Sequence, residues 1–285
     1  KGGKPVAAAA LRAAVQSLRK RWQSLGAPRG SPPAATGAAG DAAGEGDAAG
    51  EGVLRSPLVL VVDESLASLP WECIPSLVEQ PVARLPCAAY VDRCVAAADA
   101  RGGSVASSDA YYLLNPSGDL QRTQAAFEER FARPPWEGVV GEPPAEEALR
   151  SALERKDLFV YCGHGDGSRF ISADSLHRLP RCSVSVLMGC SSGALKRVGG
   201  LAPSGMALSC LNARSPAVVA NLWDVTDGES DRFCRALMDS FERGGCLLTA
   251  VASARRACRL RYLTGAAAVC YGAPITVEPR GGAEA

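Results

Sequence analysis

Along most of this chain the apolar positions follow two rhythms. Short apolar runs, "LVLVV" (58–62), "YYLL" (111–114), "LFVY" (158–161), "VSVLM" (184–188) and "AVVANLW" (217–223), read as strands. Most have no polar face, which suits parallel strands covered by helices on both sides. Between and after them, helical spacing runs over 119–132, 145–156, 228–243 and 246–262. Pro143 and Pro144 precede the second of these, Asp227 is placed to cap the third, and Gly244 and Gly245 end it. The alternation predicts an α/β fold, with a mainly parallel sheet and helices on both faces. No internal repeat is present.

The first fifty residues follow a different pattern. Leu11, Val15, Leu18 and Trp22 fall at helical spacing and predict one helix within residues 1–25. Residues 26–52, "GAPRGSPPAATGAAGDAAGEGDAAGEG", offer almost nothing to a core and read as a flexible low-complexity linker. The compact domain is therefore placed at 53–285, its ordered part running from Val53 to about Val277.

Composition narrows the class. The chain has 285 residues, 47% hydrophobic and 21% charged, which is ordinary for a globular protein. A net charge of +1 gives no reason to expect a nucleic acid or a membrane as partner. The apolar runs are far shorter than the roughly 20 residues that span a bilayer. "PVAAAAL" imitates a signal core, but Arg12 breaks it and the pattern continues as a helix. A chain starting at Lys1 reads as a piece of something longer. Eleven cysteines, without framework spacing and mostly inside apolar runs, suit reduced thiols in the cytoplasm or nucleus.

Three of the expected strands end in reactive residues: His164 after "LFVY", Cys190 after "VSVLM" and Asp224 after "AVVANLW". In an open parallel sheet, sites form beyond the C-terminal ends of strands. Neighbouring strands lie roughly 4.8 Å apart, so an imidazole and a thiol on adjacent tips are within reach of each other. The imidazole would raise the thiolate fraction or take the proton during attack. In "LFVYCGHGDG", Gly163 and Gly165 let the loop turn and bring backbone N–H groups near a substrate carbonyl. The N–H groups of Gly165 and Cys190 are the expected oxyanion donors. Cys162, Cys182 and Cys270 read as inert core thiols, and His177 as a surface histidine.

Other chemistries fit less well. "GCSSG" matches G-x-S-x-G with Ser191 as nucleophile, but that order needs a later histidine and none follows His177. A phosphate loop would open a helix after the glycines, whereas "SRFISAD" does not. A zinc site on Cys162, His164 and Cys190 lacks a paired CxxC motif. No metal and no cofactor is expected.

"YCGHGDG" followed by "LMGCSSGAL" resembles the His and Cys motifs of separases, cysteine endopeptidases of the caspase-like clan. "VVDESLASLPWECIPSL", "YYLLNPSGDL", "WEGVVGE", "NLWDVTD" and "RYLTGAAAVCYGAP" agree with that family in the same order, over roughly residues 55–275. The resemblance implies a caspase-like fold, a catalytic dyad of Cys190 and His164, and cleavage after arginine. It implies the kleisin subunit of cohesin as substrate, cut to release sister chromatids at anaphase, and securin as inhibitory partner. The family's large N-terminal helical region has no counterpart here, and the helix at 5–25 reads as its last remnant.

Cleavage after arginine calls for a carboxylate near Cys190. Asp224, Asp227 and Asp231 follow one strand tip and Asp63 ends the first strand; the family pattern favours Asp231. Two alternatives remain open: a catalytically inactive caspase-like scaffold, and another peptidase of the same clan with a different substrate.

Overall fold

The computed structural model describes residues 56–196 and 203–280, together with Gln16 and Lys20. Gln16 and Lys20 are helical, and the rest of the expected N-terminal helix and the expected linker at 26–52 lie outside the described residues. The central sheet contains β1 (Leu58–Val61), β2 (Val82–Leu85), β4 (Ala110–Leu114), β5 (Glu137–Val140), β6 (Leu158–Cys162), β7 (Val184–Leu187), β8 (Ala217–Asn221) and β10 (Ala268–Gly272). Their order is β1-β2-β10-β8-β7-β6-β4-β5. A small second sheet joins β3 (Ser104–Ala106), β11 (Thr276–Glu278) and β9 (Gly245–Cys246).

Helices cover both faces, as the double-sided apolar runs require. On one face α2 (Gln121–Phe131), α6 (Asp227–Arg243) and α7 (Leu247–Ala254) pack on Leu158, Val160 and Cys162 of β6. On the other, α1 (Ala89–Asp99), α3 (Glu146–Arg155), α4 (Ala173–His177) and α5 (Met206–Asn212) pack on Phe159 and Tyr161. The side chains of β6 thus alternate between two apolar layers, each out of water.

Strand direction decides which tips share an end. β5, β4, β6, β7 and β8 are mutually parallel. β10 runs antiparallel to β8, and β2 and β1 run with β10. The sheet therefore reverses once, between β8 and β10. The C-terminal end of β1 lies opposite the C-terminal ends of β6 and β7, and Asp63 goes with it. As an arginine-binding candidate Asp63 is thereby corrected: its Oδ1 accepts from the Ser65 N–H and hydroxyl at the far end of the sheet.

Two helix boundaries also differ from expectation. Asp227 is the first residue of α6, and Thr226, with extended backbone, holds the cap position. Asp227 and Glu229 in the first turn and Arg243 in the last complement the helix dipole, and Gly244 ends the helix at φ +75°. α7 stops at Ala254 instead of reaching 262 and passes into a 3-10 turn at Arg255–Ala257. Tertiary bonds take the rest of that segment: the carboxylate of buried Glu229 accepts from the Leu260 N–H (3.1 Å) and the Thr264 hydroxyl (2.9 Å).

The first three residues of "WECIPSL" form a 3-10 turn at Trp71–Cys73 that buries Glu72 against Arg84 of β2. Arg84 Nε donates to Glu72 Oε1 at 2.7 Å, and its remaining donors reach Glu72 Oε2 and the carbonyls of Ala67 and Leu69. Among the described residues no helix is long and apolar enough to cross a membrane.

Candidate active site

His164 and Cys190 sit on the tips of adjacent strands. β6 and β7 pair in parallel register from Leu158–Val184 to Tyr161–Leu187, and the Met188 N–H continues the ladder to the Tyr161 carbonyl. Beyond that point the two loops press together. A Cβ on Gly189 would lie 1.7 Å from the Gly165 carbonyl oxygen and 2.7 Å from that of Gly163. The residue before the cysteine must therefore be glycine.

The two glycines around His164 serve different ends. Gly165 has φ +66° with open space where a Cβ would be, so backbone conformation is its requirement. At Gly163 the requirement is steric: a Cβ would stand 2.7 Å from the Tyr161 hydroxyl, which donates to the His164 carbonyl. Among the described residues neither the Gly165 nor the Cys190 N–H has a protein acceptor.

The turn after β7 explains why "CSSG" is small and polar. Ser191 adopts φ +52°, a conformation that costs an L-residue roughly 1–2 kcal/mol. It is held there from the β8 side, its N–H donating to the Trp223 carbonyl and its hydroxyl to Asp224 Oδ1 at 2.6 Å. Ser192 is buried, donating to the Leu187 carbonyl and accepting from the Asn221 N–H. Asn221 Nδ2 donates to the Gly189 carbonyl, and Ser230 Oγ to that of Met188. The Cys190 thiol is half-buried and donates to the Val225 carbonyl at 3.2 Å. Ser192, Asn221 and Ser230 escaped sequence reasoning, since nothing in their spacing marks them.

The three remaining aspartates separate by environment. Asp224 is engaged by Ser191, and Asp227 opens α6. Asp231, one turn further, is the partly buried one and accepts from Thr123 Oγ1 of α2 at 3.1 Å. Burial pushes its carboxyl up to about 6; Asp227 pushes in the same direction, while Thr123 and the arginines Arg235 and Arg232 oppose it. It stands on α6, the helix whose apolar face packs on Leu158, Val160 and Cys162 of the histidine strand. His164 Nε2 lies 3.2 Å from Asp119 Oδ2, a neighbour that the sequence alone did not single out. His177 is exposed at the end of α4. Cys162, Cys182 and Cys270 are buried; a hydrogen bond with Cys234, then burial, raises the Cys162 thiol, and burial raises that of Cys270. Among the described residues no group of three or more His, Cys, Asp or Glu side chains is arranged to hold a metal ion.

A mainly parallel, doubly covered sheet with a histidine and a cysteine on neighbouring strand tips has the architecture of the caspase-like α/β class. The protease domain of separin matches residues 35–229 of this chain. Separin of Schizosaccharomyces pombe is 39% identical over 237 residues, covering 79% of this chain and 13% of that protein. Mouse separin is 40% identical over 230 residues, covering 78% of this chain and 11% of its own length. In the crystal structure of the Saccharomyces cerevisiae separase–securin complex, one chain superposes with a TM-score of 0.69 at 34% identity, covering 76% of this chain and 16% of that one. The chain belongs to the separin protease-domain family, and it spans about an eighth of the length of these curated relatives.

Proposed function

We propose that this chain carries the catalytic centre of a cysteine endopeptidase that cleaves after arginine. The observation that carries the reading is the abutment of the two strand-tip loops, with Gly189 pressed under the Gly165 carbonyl. Cys190 attacks the scissile carbonyl carbon as thiolate, and His164 holds the proton taken from the thiol. The oxyanion that forms accepts from the Gly165 and Cys190 N–H groups, each donor worth about 3–4 kcal/mol in the transition state. When the tetrahedral adduct collapses, the C–N bond breaks and His164 passes its proton to the leaving amine. Water then cleaves the thioester, and its proton returns through the imidazole to the thiol.

The arginine side chain of the substrate meets Asp231, the partly buried carboxylate beside β6. Asp224 is already engaged by Ser191, and Asp227 serves the helix dipole. Family membership supports the rest of the reading: the kleisin subunit of cohesin as substrate, cut at sister-chromatid separation in the cytoplasm and nucleus. The yeast separase was solved with securin, which makes securin the natural inhibitory partner to test.

Turnover of an arginyl reporter peptide by the intact protein tests the centre. Cys190→Ala and His164→Ala should each abolish it without unfolding the domain, and an arginyl ketone should attach to Cys190. Labelling that maps to another cysteine and survives Cys190→Ala would reject the assignment.

A further inference from the structure

The stretch "LNPSGDL" carries a residue that the mechanism above does not use. Asn115 directly follows β4, in the left-handed region at φ +50° and almost fully buried. Its N–H donates to the Cys162 carbonyl at 2.7 Å, which ties the start of this loop to the tip of the histidine strand. Its Oδ1 accepts from the Leu120 N–H at 2.9 Å, and the Gly118 N–H closes a turn onto its carbonyl. Arg169, from the histidine loop, donates to the Ser117 hydroxyl. The five-residue loop is thus fixed from both ends and from the side, and Asp119 is what it presents to His164.

That contact selects a tautomer. An ionised carboxylate only accepts hydrogen bonds, so the ring nitrogen facing Asp119 Oδ2 at 3.2 Å carries the hydrogen. In the neutral imidazole the lone pair then resides on Nδ1, the nitrogen left to serve the thiol. We propose that Asp119 is a positioning residue for the reaction, fixing His164 as the Nε2–H tautomer and stabilising the imidazolium that forms during attack. The inference rests on the dyad reading given above and adds to it the identity of the third group. Asp119 is 60% exposed in its side chain, so the pair works as an orienting contact more than as a buried charge pair.

The histidine loop itself carries two further charged groups, Asp166 and Arg169. Asp166 accepts from the Ser168 N–H, and Arg169 donates to Ser117. Among the described residues Asp119 is the carboxylate in hydrogen-bond contact with the imidazole.

The test is steady-state kinetics on the intact protein with an arginyl reporter for Asp119→Ala, Asp119→Asn and the parent. Asp119→Ala should lower kcat roughly 10- to 100-fold, less than the full ~10²–10⁴ of a general base, with KM within about twofold. Asp119→Asn keeps an acceptor and should retain more kcat than Asp119→Ala. Unchanged kcat in Asp119→Ala, or a loss that falls on KM alone, would overturn the inference alone, provided Cys190→Ala is inactive. Turnover that persists in Cys190→Ala would overturn the dyad reading and this inference together.

Discussion

Thr123 donates to Asp231 Oδ2 at 3.1 Å, so the carboxylate proposed to meet arginine is held by α2, a different helix from its own. Burial raises that carboxyl to about 6. A substrate guanidinium needs the ionised form. The KM for arginyl peptides should therefore fall as pH rises through about 6, and this dependence should be missing in Asp231→Asn. The variant should lose roughly a hundredfold in kcat/KM, as expected for a guanidinium left without its partner.

The same residue gives a stability prediction of opposite sense. Between about pH 4 and 6 the folded chain holds a proton on Asp231 that the unfolded chain has released. Stability from this group is thus highest below pH 4 and declines as pH rises through 6. At pH 7.5 Asp231→Asn removes a disfavoured charge and should raise Tm by about 2–4 °C while losing activity. A lowered Tm would mean that the Thr123 bond outweighs desolvation.

Gly189→Ala and Gly165→Ala should behave differently. The first places a methyl 1.7 Å from the Gly165 carbonyl and must push the loops carrying His164 and Cys190 apart. Misplacement of reacting groups by about 1 Å costs on the order of a hundredfold in rate, and that is the loss expected. The second meets open space and carries only left-handed strain, roughly 1–2 kcal/mol. Its activity should stay within about tenfold of the parent. Parallel rate and melting measurements on both variants check the contrast.

Removing one member of the buried Glu72–Arg84 pair should destabilise the domain by about 3–5 kcal/mol, because the other charge is left in apolar surroundings. Replacing both, as Glu72→Met with Arg84→Leu, should cost less than either single change. Denaturant melts of the three variants decide it, and additive losses would argue against coupling.

Thiol chemistry should sort by access. Desolvation raises Cys94 to about 12 and Cys258 to about 11, so both should resist alkylation at neutral pH. Cys87 is exposed and should compete with Cys190 for small uncharged reagents, whereas an arginyl electrophile should select Cys190. Peptide mapping after each treatment separates the two patterns.

Much of the candidate-site end of the molecule is legible in the sequence, because β4, β6, β7 and β8 are continuous apolar runs and His164, Cys190 and Asp224 follow three of them. β2 was hidden by Arg84, a charge that reads as exposed until Glu72 folds over it. β10, "AVCYG", is short, Ala-rich in its surroundings, and follows a segment with helical spacing. β5 is an edge strand with a half-exposed pattern. Asp63 was misplaced because strand direction is a property of pairing, and β1 pairs through β2 and β10 on the reversed side of the sheet. Asp119 shows no role in the sequence, since its partner lies 45 residues away.

The position of β10 bears on how the chain assembles as it leaves the ribosome. β4 to β8 form one sequential block and can pair in the order of their synthesis. β1 and β2, made first, have no place beside that block until residues 268–272 are inserted between β2 and β8. Closing so distant a pairing is the slow kind of folding step, and before it both β2 and β8 present bare edges open to wrong partners. The last strand of this sheet to be made is thus the keystone that joins its two parts, and a nascent chain stopped before it would hold the tips of β6 and β7 in an unfinished sheet.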